Sequence, residues 1–187
     1  MDEQTIENPV SGERMTFLET ARGTGGARTV GVLEVRPGGG VPIHRHSDHE
    51  ERIEVLEGEI ELTLGRKRRR VGPGEQALIA PGQMHGWRNP SPDRPLRFRG
   101  TMNPGNPGFE RFLRVLFGLA RSGEVRPNGL PRRLSDLALL TEWDPSVLAG
   151  PLVLLGPVMR LLARRARARG RAAELLARFD ADEPAAP

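Results

Sequence analysis

Three histidines and one glutamate stand out for their type and spacing: His44 and His46 two apart, Glu51 five further on, and His85 after a tight turn at Pro81-Gly82. Side chains two apart on a strand point to the same face, so His44 and His46 are expected to aim their imidazoles together. Such a pair can reach one ion at ~2.0–2.1 Å, the distance typical of zinc. Glu51 opens the next apolar run and shares its parity with Ile53 and Val55. A hairpin joining the two strands would set its carboxylate beside the histidine pair. His85 offers a third imidazole, and Trp87, of the same parity, would line the same cavity. There is no cysteine, so histidine and carboxylate are the strong ligands available and disulfides are excluded. His49 and Glu50 are the alternatives within this stretch. Glu51 fits better because it matches both the spacing and the inward parity of Ile53 and Val55, whereas lone histidines in a β protein are commonly structural.

These residues need a scaffold, and residues 14–103 read as β structure. Apolar runs at Met15–Leu18, Val30–Val35, Arg52–Leu56, Ile60–Leu64, Ala77–Ala80 and Leu96–Thr101 alternate with glycine- and proline-rich turns, including Pro37–Gly40, Gly58, Gly65 and Gly72-Pro73-Gly74. Many short strands at regular spacing predict a sandwich or barrel. Ile60, Leu62 and Leu64 alternate with Glu59, Glu61 and Thr63, which predicts one buried and one wet face. Leu62 then joins Ile53, Val55 and Trp87 as the expected wall of a ligand pocket. In Leu96–Arg99 the apolar pair is expected inside and Arg97 and Arg99 in solvent.

The pattern changes near residue 103. Asn106 is a good N-cap, Pro107 a good first helical residue and Gly123 a stop. Between them Phe109, Phe112, Leu113, Leu116 and Phe117 recur at helical spacing, a stripe that needs an apolar surface and is expected to lie across the barrel and close its cavity. Further helices are expected at Ser135–Glu142, Val158–Arg169 and Arg171–Phe179. The division expected is a barrel over residues 1–103, a helical extension packed on it over 104–180, and a disordered tail over 181–187.

With Gly38, His44, His46, Glu51 and Gly58 in place, the chain resembles the cupin superfamily, whose first motif reads G-x5-H-x-H-x3,4-E-x6-G. Gly74, Gly82, His85 and Asn89 fill the second, G-x5-P-x-G-x2-H-x3-N, with the proline one place late at Pro81 instead of Ala80. The resemblance covers roughly residues 10–103, and the helical remainder is similar to that of small bacterial cupins. It implies an all-β double-stranded β-helix, or jelly roll, with a C-terminal helical extension. It also implies one divalent transition metal (Fe, Mn, Ni, Co or Zn) held by His44, His46, Glu51 and His85, a small-molecule ligand, and a homodimer. Cupins with this ligand set include dioxygenases, decarboxylases and sugar isomerases. The apolar wall expected here suits an apolar or aromatic substrate that chelates through oxygen, so an oxygenase-type enzyme is the leading expectation. A non-catalytic binding or sensor protein and a metal-dependent isomerase or decarboxylase are the alternatives.

Composition narrows the rest. The chain has 187 residues, 28% of them charged and 37% hydrophobic, with a formal net charge of +4. The isoelectric point near 10.9 reflects residue choice: every basic side chain except Lys67 is arginine, which keeps its proton to very high pH. The runs Arg66–Arg70 and Arg160–Arg171 read as solvated faces, with no nucleic-acid motif beside them. Contact of the arginine-rich C-terminal helix with a membrane surface is the weaker reading. The polar start Met1–Gln4 suggests no secretory signal. The apolar stretch Gly150–Met159, broken by Pro151 and Pro157, falls short of the ~20 residues that span a bilayer. A cytoplasmic protein is the default expectation.

Overall fold

A computed structural model describes residues 4–144 and 154–181. The expected tail, from residue 182 on, and the first part of the apolar stretch Gly150–Met159 lie outside the described residues.

Ten strands form first: β1 (Gln4–Asn8), β2 (Glu13–Glu19), β3 (Thr29–Val35), β4 (Gly40–His44), β5 (Glu50–Glu57), β6 (Ile60–Leu64), β7 (Lys67–Val71), β8 (Gln76–Ile79), β9 (His85–Arg88) and β10 (Leu96–Asn103). They build two antiparallel sheets, one of six strands in the order β1-β2-β3-β10-β5-β8 and one of four in the order β4-β9-β6-β7. The sheets bury their inner faces on each other. Val35, Ile53, Val55, Ile79, Leu96 and Phe98 come from the first, Ile60, Leu62, Val71 and Trp87 from the second. Trp87 meets Phe98 edge-to-face across the gap, ring centroids 5.1 Å apart, a favoured aromatic geometry.

The sheet division corrects the expected hairpin: β4 and β5 are consecutive in sequence yet belong to opposite sheets. The chain between them crosses from one to the other. β7 carries the basic run after Gly65, which reads as a solvated face in the sequence and is one. Lys67, Arg68, Arg69 and Arg70 are all exposed on an edge strand, where like charges discourage further pairing. The outer face of β6 is also drier than its alternation predicts. Glu61 is buried, and its carboxylate accepts a hydrogen bond from Arg88 at 2.8 Å with Arg68 and Arg70 within 4.0 Å. Arg88 and these neighbours hold the carboxyl below the usual carboxylate range.

Helix α1 (Pro107–Arg121) begins as its cap dictates, Asn106 Oδ1 accepting from Phe109 N–H at 2.9 Å. Its stripe docks on the six-stranded sheet: Phe117 packs with Ile6, Met15 and Phe17, flanked by Phe109, Leu113 and Leu116. Three more helices, α2 (Leu134–Trp143), α3 (Gly156–Ala168) and α4 (Arg171–Phe179), share a separate apolar cluster with the far side of α1, through Val115, Leu119, Leu139, Leu140, Ala163 and Leu175. In α3 the small residues Ala163 and Ala166 face inward, and Leu161 is exposed, so its buried face is narrower than the sequence pattern suggests. Among the described residues no helix is long and apolar enough to cross a membrane.

Candidate metal centre and ligand chamber

Two glycines bring the histidines together. β4 lies against β9 with His44 opposite His85. A side chain at Gly40 would put its Cβ 2.4 Å from Trp87 O, and one at Gly86 would stand 3.0 Å from Ile43 N and Val41 O. Only bare backbone allows so close an approach. His46 is not on the strand; it sits in the loop after β4, so its convergence with His44 comes from the turn of that loop and not from strand parity. Glu51 enters from the opposite sheet, buried on β5 between Ile79 and Met102. Glu50 pairs with Asn103 and is less buried.

The ring nitrogens of His44, His46 and His85 lie within 4.8 Å of one another. Each ring is held from behind by a main-chain carbonyl: Nδ1 of His44 by Pro42 O at 2.8 Å, of His46 by His49 O at 3.3 Å, and of His85 by Gln83 O at 2.9 Å. A carbonyl only accepts, so the proton of each neutral ring belongs on Nδ1 and Nε2 carries a lone pair. Nε2 of His46 and of His85 stand 3.2 Å and 3.3 Å from Glu51 Oε2. The His85 approach lacks hydrogen-bond geometry, and this fully buried nitrogen has no partner. Electron pairs aimed at one another are relieved by a proton or a metal cation between them. Back-bonded imidazoles with a carboxylate beside them are the arrangement that holds a divalent metal, so the residues fit such an ion.

The same geometry sets the titration of the metal-free protein. Burial alone would raise the Glu51 carboxyl, but the imidazoles of His46 and His85 hold it well below the usual range. Burial works against protonation of His85, yet the Glu51 carboxylate outweighs it and the ring is raised. His44 is pushed down, chiefly by burial, against the pull of the Pro42 carbonyl.

In front of the cluster lies a cavity of about 220 Å³. Its floor is sheet (Met15, Leu33, Trp87, Phe98, Gly100, Met102) and its roof is the α1 stripe (Phe109, Phe112, Leu113, Phe117). His44, His46 and Glu51 open onto it. Of the expected pocket residues, Trp87 lines this space, whereas Ile53, Val55 and Leu62 do not. Those three are wholly buried in the core between the sheets. Sequence reading took the inward face of a strand for the wall of a cavity, when most of that face is packed solid. The residues it missed are the β2, β3 and β10 positions; His49, weighed in sequence as an alternative metal ligand, also lines the cavity and is 2% exposed.

Residues 31–102 match the family model described as the cupin domain. A stretch of 73 residues is 36% identical to quercetin 2,3-dioxygenase of Bacillus subtilis, covering 39% of this chain and 22% of that one. The chain thus matches less than a quarter of that relative's length. Among solved structures, KdgF from a Halomonas species is similar with a TM-score of 0.48 and 20% identity, over 58% of this chain and 91% of that one. The polyketide cyclase RemF from Streptomyces resistomycificus is similar with a TM-score of 0.48 and 28% identity, over 57% and 77% of the two chains.

Proposed function

Given a cupin domain over residues 31–102, we propose a metal-dependent enzyme of oxygenase type that acts on an apolar or aromatic substrate chelating through oxygen. The carrying observation is the adjacency of two unlike surfaces: an imidazole–carboxylate cluster with a buried, partnerless His85 Nε2, and an apolar chamber directly against it. His44, His46, Glu51 and His85 would hold the ion. A divalent transition metal there supplies Lewis-acid polarisation of a chelating oxygen and, if redox-active, a route for dioxygen chemistry. The protein's part is orientation and exclusion of water. Trp87, Phe98 and the α1 phenylalanines pack an aromatic body, while the back-bonded imidazoles keep the ligand nitrogens fixed. Such a lining offers little to a free sugar, which would need a polar wall. The similarity to a quercetin dioxygenase supports the same choice.

A homodimer belongs to this proposal. The arginine-covered β7 edge is a poor surface for pairing, so two copies would meet elsewhere on the sheets.

Protein purified without an affinity tag is expected to contain close to one transition-metal ion per chain, and to scatter light with twice the chain mass of 20.6 kDa. Reconstituted with Fe, Mn, Ni or Co in turn, it is expected to consume oxygen with some member of a panel of aromatic and enolic substrates. Metal content without oxygen uptake across the panel, alongside tight binding of panel members, would replace the enzyme with a binding protein. Absence of metal binding would remove the reading altogether.

A further inference from the structure

We propose that His49 is a second ligand-binding group in this chamber, accepting a hydrogen bond on Nε2 from a hydroxyl of an aromatic or enolic ligand. The inference rests on reading the cavity as a ligand site and adds a polar requirement to it. His49 lines the cavity and is 2% exposed. Its Nε2 is buried and has no hydrogen-bond partner. Its Nδ1 lies 2.8 Å from Asp48 Oδ1, and a carboxylate can only accept, so Nδ1 keeps the ring proton and Nε2 presents a bare lone pair. Asn106 Nδ2 is further off, at 3.4 Å from the same Nδ1, and does not compete with the shorter, charge-assisted bond.

The ring is locked as well as unpaired. It stacks on His46 with centroids 3.8 Å apart and planes 13° from parallel, with Asp48 and Asn106 at its Nδ1 edge. An acceptor held in place before binding loses little freedom when a donor arrives. A buried acceptor that no group of the chain satisfies is costly unless a water or a ligand meets it. The parallel stack also separates His49 from the metal ligands. Two nearly parallel rings cannot both direct in-plane lone pairs at one ion, so if His46 binds the metal, His49 Nε2 is left for something else.

The donor it awaits is a hydroxyl on an apolar body, because most of the remaining wall is apolar, Met15, Trp87, Phe98, Met102, Phe109 and Phe112 among it, with Glu13, Thr29 and Asp144 the polar residues outside the histidine cluster. At about 220 Å³ the space exceeds the about 150 Å³ cavity that takes up benzene, so a two-ring molecule is a fair probe. A site built around a hydrogen bond rejects the analogue that lacks the group.

The test compares 1-naphthol with naphthalene by calorimetry on zinc-loaded wild type, zinc-loaded His49→Leu, and His85→Ala. Wild type is expected to favour naphthol by at least ~10-fold. His49→Leu should lose that preference while keeping its zinc content and its affinity for naphthalene, and His85→Ala should keep the preference without zinc. If the preference follows the zinc, lost in His85→Ala and kept in His49→Leu, the hydroxyl binds the ion and the proposal falls. A loss of zinc in a folded His49→Leu would make His49 a metal ligand and overturn it too. Should neither probe bind any of the proteins, the chamber reading fails and this inference fails with it. Nitrogen-15 NMR of histidine-labelled wild type needs no variant. His49 is expected with Nε2 unprotonated and its resonance shifted on adding naphthol, and a proton already on Nε2 would contradict the proposal.

Discussion

Among the described residues, the buried charges of the helices and those of the barrel are finished differently. Where α1 meets α4, Arg114 donates to Asp180 at 3.2 Å and to Gln4 Oε1 at 2.8 Å, lies 3.8 Å from Glu110, and covers the Phe17 ring. Glu110 in turn accepts from the Ala21 N–H and the Thr29 hydroxyl. A second guanidinium, Arg171, forks onto the carboxylate of Asp136 at 2.9 Å and 2.6 Å. Planar donors meet planar acceptors and the charges are answered from within the chain. In the barrel the reverse holds. Nε2 of His46 and of His85 face the Glu51 carboxylate at 3.2 Å and 3.3 Å, and His85 Nε2 has no partner. The charges among the helices are answered within the chain; the barrel cluster is not, and under the proposed function a cation would answer it. Satisfied buried polar groups fix a structure, and unsatisfied ones mark where something else binds.

Substitutions separate the two. The largest effect is expected from Arg114→Met, which removes the guanidinium between Glu110 and Asp180 and should lower stability to urea by roughly 3–5 kcal/mol. Its zinc content should be unchanged. Loss of zinc in a folded Arg114→Met protein would mean the clusters are coupled and the contrast is false. Next, zinc added to metal-free wild type at about 100 times its dissociation constant should raise stability by about 2.7 kcal/mol. The same zinc should leave His85→Ala unmoved, and an equal rise in that variant would show that the ion binds elsewhere.

The smallest effect belongs to Glu124, which accepts from Arg178 at 2.7 Å and Arg171 at 3.4 Å. The Arg178 bond and the charges beside it hold its carboxyl below the usual value. A lowered folded value means that the stabilisation is fully present above the unfolded value near ~4.3 and fades as pH falls through the folded one. Glu124→Gln should therefore be less stable by roughly 0.5–1 kcal/mol at pH 7, a partly exposed pair being worth little. Denaturation curves of the two proteins should converge in acid. A gap that persists well below pH 4 would assign the effect to packing instead.

Much of this was legible from local chemistry. Asn106, Pro107 and Gly123 bracket α1 because capping and the αL stop depend only on neighbouring residues, and the helix runs over Pro107–Arg121. β6 occupies Ile60–Leu64, the run its alternation predicts. What stayed hidden depends on distant partners. β1 lies outside the run read as β structure; it is recruited by β2, and its Ile6 is buried under α1. At the site, residue types and spacing singled out His44, His46, Glu51 and His85. The burial of His49 depends on contacts with His46 and Asn106, and no pattern within Ser47–Glu50 encodes them.

The crossing between β4 and β5 has a consequence for how the protein comes apart. His44 and His85 belong to the four-stranded sheet, Glu51 to the six-stranded one, and His46 to the loop that passes between them. An ion held by all four would act as a rivet through two plates. Each sheet on its own, even with every strand paired, would hold only part of the grip. A loosened state that keeps its secondary structure but lets the sheets slide apart would therefore release the ion early. Bound metal would then report the docking of the sheets and not their formation.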